Sequence, residues 1–327
     1  MRAFLVTSSD GTISAAVTDV DASVLEGEVL IDVEFAGVNY KDSMVLRPGN
    51  KVARRSPLIP GVDLAGTIVS GGSSDLRAGT SVLAHCYGVG VSHHGGFAQQ
   101  ARVPADWVIT LPEGLDARRA MILGTAGFTA MASLNALRAH GMDPNDGPLL
   151  VTGAAGGVGS SAVALGSAAG FEIVASTGRS HEAAYLTALG ATRVIGRDEI
   201  DDRPDRTLGT ERWAGAIDCV GGASLAAILR SLHYGAGVAA SGLTGGAELS
   251  TTVFPFIVRS VALLGIDAVE MDRTQRQAIW NDLATALSPE MIDQLCERTV
   301  SLEEVPDVLS QIAEGQIRGR VIVDLAR

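Results

Sequence analysis

Apolar and polar residues alternate along this chain with two different periods, and the change falls near Asp116. Before it, apolar positions recur at every second residue in short runs broken by Gly, Pro and Asp, the period of half-buried strands. These runs predict strands at Arg2–Val6, Val29–Gly37, Val62–Val69, Ser81–Cys86, Gly96–Val103 and Val108–Thr110, a mostly β domain. Asp116–His140 has helical spacing with an interruption at Gly124-Thr125-Ala126-Gly127. From Leu149 onward, strands at Leu149–Thr152, Ile173–Ser176, Arg193–Ile195, Gly215–Val220, Gly237–Ser241 and Val261–Ile266 alternate with helices near Ser160–Ala169, His181–Leu189, Ser224–Ser231 and Asp272–Leu287. Such alternation predicts a parallel, doubly wound sheet and an α/β fold. A helix at Leu302–Glu314 and a strand at Gly319–Asp324 follow, and this strand has the character of the first domain. The first domain is therefore expected to be discontinuous. No internal repeat or low-complexity tract is evident.

The segment 149–179 combines a buried strand, a turn bearing Gly153, Gly156, Gly157 and Gly159, an Ala-rich helix and a second strand. This is a unit of roughly 30 residues, the length of a dinucleotide site. Small residues at Ala155, Gly156, Gly157 and Val158 let the backbone approach a pyrophosphate, and the helix start offers unpaired N–H groups. The second strand ends in Ser176-Thr177-Gly178-Arg179, with no acid to hold a ribose 2′-hydroxyl. A hydroxyl-rich tip with an arginine suits a 2′-phosphate, so NADPH is expected over NADH. The plainer alternative makes Arg179 a solvated residue opening the next helix. Arg197, after the third strand, is a candidate second phosphate partner.

With 327 residues and 46% apolar content the chain suffices for two domains. Its net charge of −12 and 4% aromatic content argue against nucleic acid and anionic membranes. The cysteines, Cys86, Cys219 and Cys296, lie too far apart to support a disulfide framework or a Cys-x-x-Cys metal site. The apolar run at Met1–Val6 is too short for a secretory signal, and no run of 18 consecutive apolar residues occurs. A cytoplasmic protein that does not enter a membrane is expected.

Several segments, in order, carry a resemblance: Gly37-Val38-Asn39-Tyr40-Lys41-Asp42, Pro60-Gly61-Val62-Asp63-Leu64-Ala65-Gly66, His94-Gly95-Gly96-Phe97-Ala98 and Gly124-Thr125-Ala126-Gly127-Phe128-Thr129-Ala130-Met131. With Val151-Thr152-Gly153 and Ser176-Thr177-Gly178-Arg179, the chain resembles the medium-chain dehydrogenase/reductase superfamily, in its zinc-free quinone-oxidoreductase branch. Within that branch it is most similar to the acrylyl-CoA reductase (NADPH) group, or YhdH-type oxidoreductases. The resemblance spans essentially the whole chain. It implies a GroES-like catalytic domain at residues 1–121 and 292–327, and a Rossmann NADPH-binding domain at 122–291. The zinc enzymes carry Gly-His-Glu where this chain has Gly61-Val62-Asp63, and Cys86 beside His85 lacks plausible partners, so no metal is expected.

Without metal or nucleophile, the expected chemistry is hydride transfer to an activated C=C bond, followed by stabilisation and protonation of the enolate. The resemblance places Asn39, Tyr40, Lys41 and Asp42 near the nicotinamide. Tyr40 is a candidate to touch the cofactor and donate a proton or hydrogen bond, Asn39 to bind a carbonyl oxygen, and Asp42 to orient them or relay a proton. The alternatives are that Tyr40 only packs and that Asp42 caps a short helix. Lys41 reads as a surface residue. Thr125, Ala126, Gly127 and Thr129 are implied to border the cofactor, or else serve a close helix contact. Gly242, Leu243 and Thr244 follow the fifth strand of the nucleotide domain, where ligands bind in such sheets. Phe256, Ile257, Ala268 and Gly315 match further cofactor positions; Ala268 and Gly315 stand where the family often has Ser and Asn, so those hydrogen bonds are missing here.

Arg47, Lys51, Arg54 and Arg55 form a basic loop that is either a CoA-phosphate site or simply solvated. His93 and His94 read as a turn lead-in, and Trp107, Trp213 and Trp280 as packing. The leading expectation is NADPH-dependent reduction of acryloyl-CoA to propanoyl-CoA. A quinone or alkenal/enone reductase is the alternative, and a non-catalytic NADPH-binding protein the remote one. A homodimer is implied, with Val261–Ile266 either at a paired sheet edge or buried in its own sheet.

Overall fold

The structure, a computed structural model, describes residues 1–326 apart from 10, 72–75, 202 and 204. In chain order it begins with strands β1 (Arg2–Ser9), β2 (Thr12–Asp19) and β3 (Val29–Gly37), then the one-turn helix α1 (Tyr40–Met44), then β4 (Asp63–Ser70), β5 (Ser81–His85), β6 (Gln100–Val103) and β7 (Val108–Thr110). Helix α2 (Ala117–Ala139) leads to β8 (Leu149–Thr152), α3 (Gly157–Ala168), β9 (Ile173–Ser176), α4 (Ala183–Ala188), β10 (Arg193–Ile195), β11 (Gly215–Asp218), α5 (Gly222–Ser231) and β12 (Gly237–Ala240). There follow α6 (Phe254–Arg259), β13 (Ala262–Gly265), α7 (Arg273–Ala286), α8 (Pro289–Leu295), β14 (Cys296–Val300), α9 (Val305–Ala313) and β15 (Arg320–Asp324).

Two compact units result. The first comprises Met1–Thr125, Ala268–Thr285 and Ile292–Arg327, the second Ala126–Asp267 and Ala286–Met291. The expected division, 1–121 and 292–327 against 122–291, differs at 122–125, where Thr125 bonds Asp63, and at 268–285. Residues 268–285 join the first unit because Arg276 and Trp280 on α7 bond the buried His85 at the end of β5.

In the first unit β1 and β2 form an antiparallel hairpin, and a seven-stranded sheet runs β14-β15-β3-β4-β5-β7, with β6 also pairing β3. Strand β15 inserts between β14 and β3, so a segment near residue 320 completes a sheet begun near residue 30. Phe4, Ile31, Leu58, Leu64, Phe97 and Val321 are among the residues of its core. Strand β2, five of whose eight residues are exposed and three half-buried, lacks the apolar period that marks its neighbours.

The second unit is a six-stranded parallel sheet, β10-β9-β8-β11-β12-β13. Strands β8, β9 and β11 are buried throughout, as in sheets covered on both faces. Strand β13 is an edge, with Leu263 39% exposed. Helix α3 starts at Gly157, three residues ahead of the expected Ser160, because the glycine turn itself enters the helix.

Helix α2 breaks at Gly124, whose φ of 51° and ψ of −156° leave the helical region. The break matches the interruption read from Gly124–Gly127. By length and hydropathy α2 is also apolar enough to cross a membrane, but most of it is buried in the protein, as befits a core helix.

Candidate functional site

A buried polar network occupies the first unit, where β4, β15, α1 and the end of α2's first segment meet. Asp63 on β4 and Arg320 on β15 are both buried and pair at 3.3 Å. Asp63 Oδ2 also accepts from the Thr125 N–H at 2.9 Å and from Asn39 Nδ2 at 2.8 Å, while Oδ1 accepts from Thr125 Oγ1 at 2.5 Å. Arg320 donates further to Val38 O, Asn39 Oδ1 and Ile122 O. Donors to both oxygens satisfy a carboxylate that its burial removes from solvent.

Two glycines wall the pair. A side chain at Gly37 would meet Arg320 Nη2 and Asp63 Oδ2 at 2.8 Å, and one at Gly124 would meet the same two groups. Gly124 is doubly required, since its positive φ is one that other residues rarely adopt.

The Asn39–Asp42 run is fixed to this network. The Asn39 carboxamide is engaged by Asp63, by Gly37 O at 3.5 Å and by Arg320, so its expected use on a substrate carbonyl would require breaking these bonds. Asp42 is buried; its Oδ2 accepts from the Asn39 N–H at 2.8 Å and its Oδ1 from the Val62 N–H at 3.0 Å. It thus caps α1 at the N-terminus and ties it to the strand before Asp63. Burial, with the nearby Asp63 charge adding to it, pushes the Asp42 carboxyl up to about 7. Tyr40 is half-buried, and Arg47 Nη2 donates to its hydroxyl at 3.2 Å while the guanidinium lies 5.5 Å from the ring centre. Lys41 is half-buried.

Of the basic loop, Arg47, Lys51 and Arg54 are exposed, and Arg55 is half-buried and paired with Glu26 at 3.1 Å. The loop is ordered by Asn50, whose Oδ1 accepts from the Val52 and Ala53 N–H groups. His94 Nδ1 accepts from the Ile59 N–H at 3.1 Å and His93 Nε2 bonds Arg102 O at 2.7 Å, so both histidines brace loops. Burial, with Arg55 next, pushes His94 down to about 4. Among the described residues no group of three or more His, Cys, Asp or Glu could hold a metal ion. Burial pushes the Cys86 thiol up to about 11, so it is not a thiolate. Ala268 is buried with its carbonyl bonded by Arg276 Nη2, and Gly315 is an exposed residue of positive φ following α9.

In the second unit the glycine turn is backed by Asp218 at the end of β11. Thr152 Oγ1 donates to Asp218 Oδ1 at 2.6 Å, and Asp218 Oδ2 accepts from the Gly221 N–H at 2.8 Å. A side chain at Gly159 would strike Gly153 O and Ala154 Cα, so α3 approaches the turn more closely than any larger residue permits. Ala155 is buried, and Gly156 and Gly157 lead with Val158 into the first turn of α3.

The second-strand tip brings its predicted residues together. Arg179 Nη2 donates to Ala155 O at 2.8 Å, and its N–H donates to Thr177 Oγ1 at 3.0 Å. A side chain at Gly178 would collide with the Arg197 guanidinium at 2.8 Å, so Arg197 lies against this loop. Ser176 is buried with its hydroxyl toward Gly196 O. Gly242 lies on the carbonyl of Cys219, and Leu243 beside it is 60% exposed. Ile257 on α6 is 71% exposed, Phe256 is partly buried, and Thr129 on α2 is buried with its carbonyl accepting from Ser133. Asp63, Thr125, His85, Arg276 and Arg320 form the centre of the first unit's network, yet sequence reasoning gave none of them a site role beyond a cofactor-lining one for Thr125. The one signal for Asp63 was its departure from the Gly-His-Glu pattern.

Two family models match the chain: the alcohol dehydrogenase GroES-like domain over residues 25–113 and zinc-binding dehydrogenase over 157–285. Acrylyl-CoA reductase AcuI of Ruegeria pomeroyi is 46% identical, covering 96% of this chain and 96% of its own. Putative quinone oxidoreductase YhfP of Bacillus subtilis is 46% identical, covering 91% and 90%. Among solved structures, the yhdH oxidoreductase of Salmonella enterica in complex with NADP has a TM-score of 0.96 at 42% identity, covering 99% and 100%. The yhfP protein of Bacillus subtilis with NAD bound has a TM-score of 0.96 at 43% identity, covering 99% of both chains.

Proposed function

The chain belongs to the medium-chain dehydrogenase/reductase superfamily, in the group of the acrylyl-CoA reductases and YhdH-type oxidoreductases, and from that premise we propose that it is an NADPH-dependent oxidoreductase acting on CH–CH bonds, reducing acryloyl-CoA to propanoyl-CoA. The observation that carries this is the 46% identity with the Ruegeria reductase over 96% of both chains. When bound, NADPH supplies the hydride that goes to the β carbon of the conjugated C=C bond. The protein then stabilises the enolate and a proton reaches its α carbon.

The second unit fits this cofactor. The close approach at Gly159 leaves room for a pyrophosphate over Gly156, Gly157 and Val158. Arg179 and Arg197, gathered at the Ser176–Gly178 tip, fit the 2′-phosphate. Leu243, Ile257, Thr129, Ala268 and Gly315 are assigned to its remaining surface. In the first unit, Tyr40 is assigned as the hydrogen-bond or proton donor to the substrate, since its oxygen already accepts from Arg47. Asn39 and Asp42 are assigned to hold Tyr40 in place. Arg47, Lys51 and Arg54 are assigned to the CoA phosphates, with Arg55 engaged by Glu26. The donor set supports chemistry without a metal, because Asp63 is committed to Arg320, Asn39 and Thr125.

The name of the Bacillus relative favours a second reading, reduction of a quinone or free enone. NADPH oxidation followed with acryloyl-CoA, crotonyl-CoA, a small quinone and a free enone, and again with NADH, separates the two. Preference for acryloyl-CoA is expected; turnover of quinone or enone alone would discard the CoA substrate and the role of the basic loop.

A homodimer is part of the proposal. Support comes from the open edge at β13 beside exposed Val253, Phe254, Val258 and Leu263, which a second copy would cover. Three free cysteines are compatible with the reducing cytoplasm, to which we assign the protein.

A further inference from the structure

We propose that His85 is a positioning residue for the Asn39–Tyr40 turn, acting through Thr125 on Asp63, the carboxylate on which hydrogen bonds from His85's side and from Asn39 converge. The function of that turn rests on the reading above; the chain itself rests on the geometry.

The direction of the chain follows from which atoms can only donate. The indole Nε1 of Trp280 has a hydrogen and no acceptor orbital, and it stands 3.0 Å from His85 Nε2. Arg276 Nη1, 3.0 Å from that nitrogen and 3.3 Å from Nδ1, lies over the ring face and leaves the single in-plane lone pair of Nε2 to Trp280. His85 Nε2 must therefore accept and carries no hydrogen. A neutral imidazole has one hydrogen, so it sits on Nδ1. The ring is fully buried beside the Arg276 guanidinium, and both push its pKa well down, which keeps it neutral. Arg276 Nη1 itself donates to His85 O at 3.2 Å.

From Nδ1 the hydrogen has an acceptor in Thr125 Oγ1 at 3.3 Å. Thr125 then has its own hydrogen for Asp63 Oδ1 at 2.5 Å, and the Cys86 thiol at 3.2 Å donates to its remaining lone pair. The threonine hydroxyl is thereby oriented and its proton is committed to Asp63. On its other oxygen Asp63 takes Asn39 Nδ2, while Asn39 Oδ1 takes Arg320 Nη1, so the carboxamide has one orientation. Its backbone N–H is held by Asp42, and Tyr40 is the next residue.

The surrounding backbone is built to present this ring. Cys86 and Tyr87 have φ of 61° and 44°, two successive side-chain-bearing residues in the left-handed region. Their turn is held by Tyr87 OH donating to Met271 O at 2.8 Å and by Arg276 lying 4.1 Å from the Tyr87 ring centre. Strain of this kind persists only where its surroundings enforce it. Here they bring His85, Cys86 and Thr125 into bonding distance.

Two substitutions divide the ring into its halves. In His85→Asn the amide N–H stands near Nδ1 and preserves the bond to Thr125 while losing the acceptor for Trp280. In His85→Gln the amide oxygen reaches the place of Nε2 and preserves the bond from Trp280 while losing the donor to Thr125. With acryloyl-CoA, His85→Gln is expected to lower kcat about tenfold or more, with KM and the Kd for NADPH unchanged, and His85→Asn to restore most of it. Equal loss in the two variants, or a loss confined to KM, would overturn the proposal. A nitrogen-detected spectrum of the wild-type protein is expected to show His85 as the Nδ1–H tautomer, and an Nε2–H tautomer would overturn it without any variant.

The Asn39 side-chain amide resonance supplies an arm independent of turnover. It is expected to move in His85→Gln and stay in His85→Asn. Should the wild-type protein reduce no enoyl-CoA and no enone, the functional reading falls while this arm still decides the chain.

Discussion

Asp63 shows how far one side chain sets its surroundings. Its two oxygens take four donors from Thr125, Asn39 and Arg320, and both members of the pair with Arg320 are buried. Removing one member of a buried pair leaves the other charge uncompensated, at a cost of about 3–5 kcal/mol. Asp63→Ala is therefore expected to lower unfolding stability by about that amount in denaturant titration, with Arg320→Met in the same background recovering a part. Additive losses in the double variant would refute the coupling. On the proposal that the Ser176–Gly178 tip holds the 2′-phosphate, Arg179→Ala and Arg197→Ala each remove a guanidinium from it. Each is expected to raise KM for NADPH by about tenfold or more and to leave KM for NADH nearly unchanged, the signature of a lost phosphate contact. Parallel changes with both cofactors would mean that the arginines only hold the loop.

At the scale of elements, two helices owe their position to what their residues lack. Helix α3 reaches the Gly153 turn only because Gly159 has no side chain, and Gly159→Val is expected to abolish NADPH binding in a fluorescence titration while the first unit stays folded. Helix α1 begins where Asp42 caps Asn39. The sequence made these strand and helix assignments legible because each rests on a local period or a local glycine cluster. Eleven strands of the reading, Val29–Gly37 and Leu149–Thr152 among them, coincide with or lie within two residues of those observed. Strand β2 escaped because it is mostly exposed, and β14, Cys296–Val300, because its residues are mostly half-buried on both faces. The second-strand tip was readable for the same local reason. The Asp63 network was not: Asp63 and Thr125 are 62 residues apart and Asp63 and Arg320 are 257 apart, and no spacing rule links such positions.

For the whole molecule, buried titratable groups give stability a pH dependence with two opposing parts. Asp42 is raised from 3.8 to about 7, so the folded state favours its protonated form; this contribution is complete below about 3.8 and is lost as pH rises through about 7. His94 is lowered from 6.5 to about 4, so its contribution is complete above about 6.5 and is lost as pH falls through about 4; His85 acts in the same sense. Asp42→Asn is therefore expected to gain stability relative to wild type as pH rises from about 4 to about 8, read from denaturation midpoints; parallel curves would show that Asp42 is not held neutral. Val258→Asp with Leu263→Asp is expected to give a monomer by light scattering if a second copy covers the β13 edge. The insertion of β15 between β14 and β3 has a further consequence, for synthesis. A ribosome adding 5–20 residues per second needs roughly 10–50 s to travel from Asp63 to Arg320, 257 positions later. Throughout that interval the nascent first unit holds a carboxylate whose counter-charge has not been made, so the domain that starts first is among the last to close, and the nucleotide unit, whose sheet strands all lie within residues 149–265, can fold ahead of it.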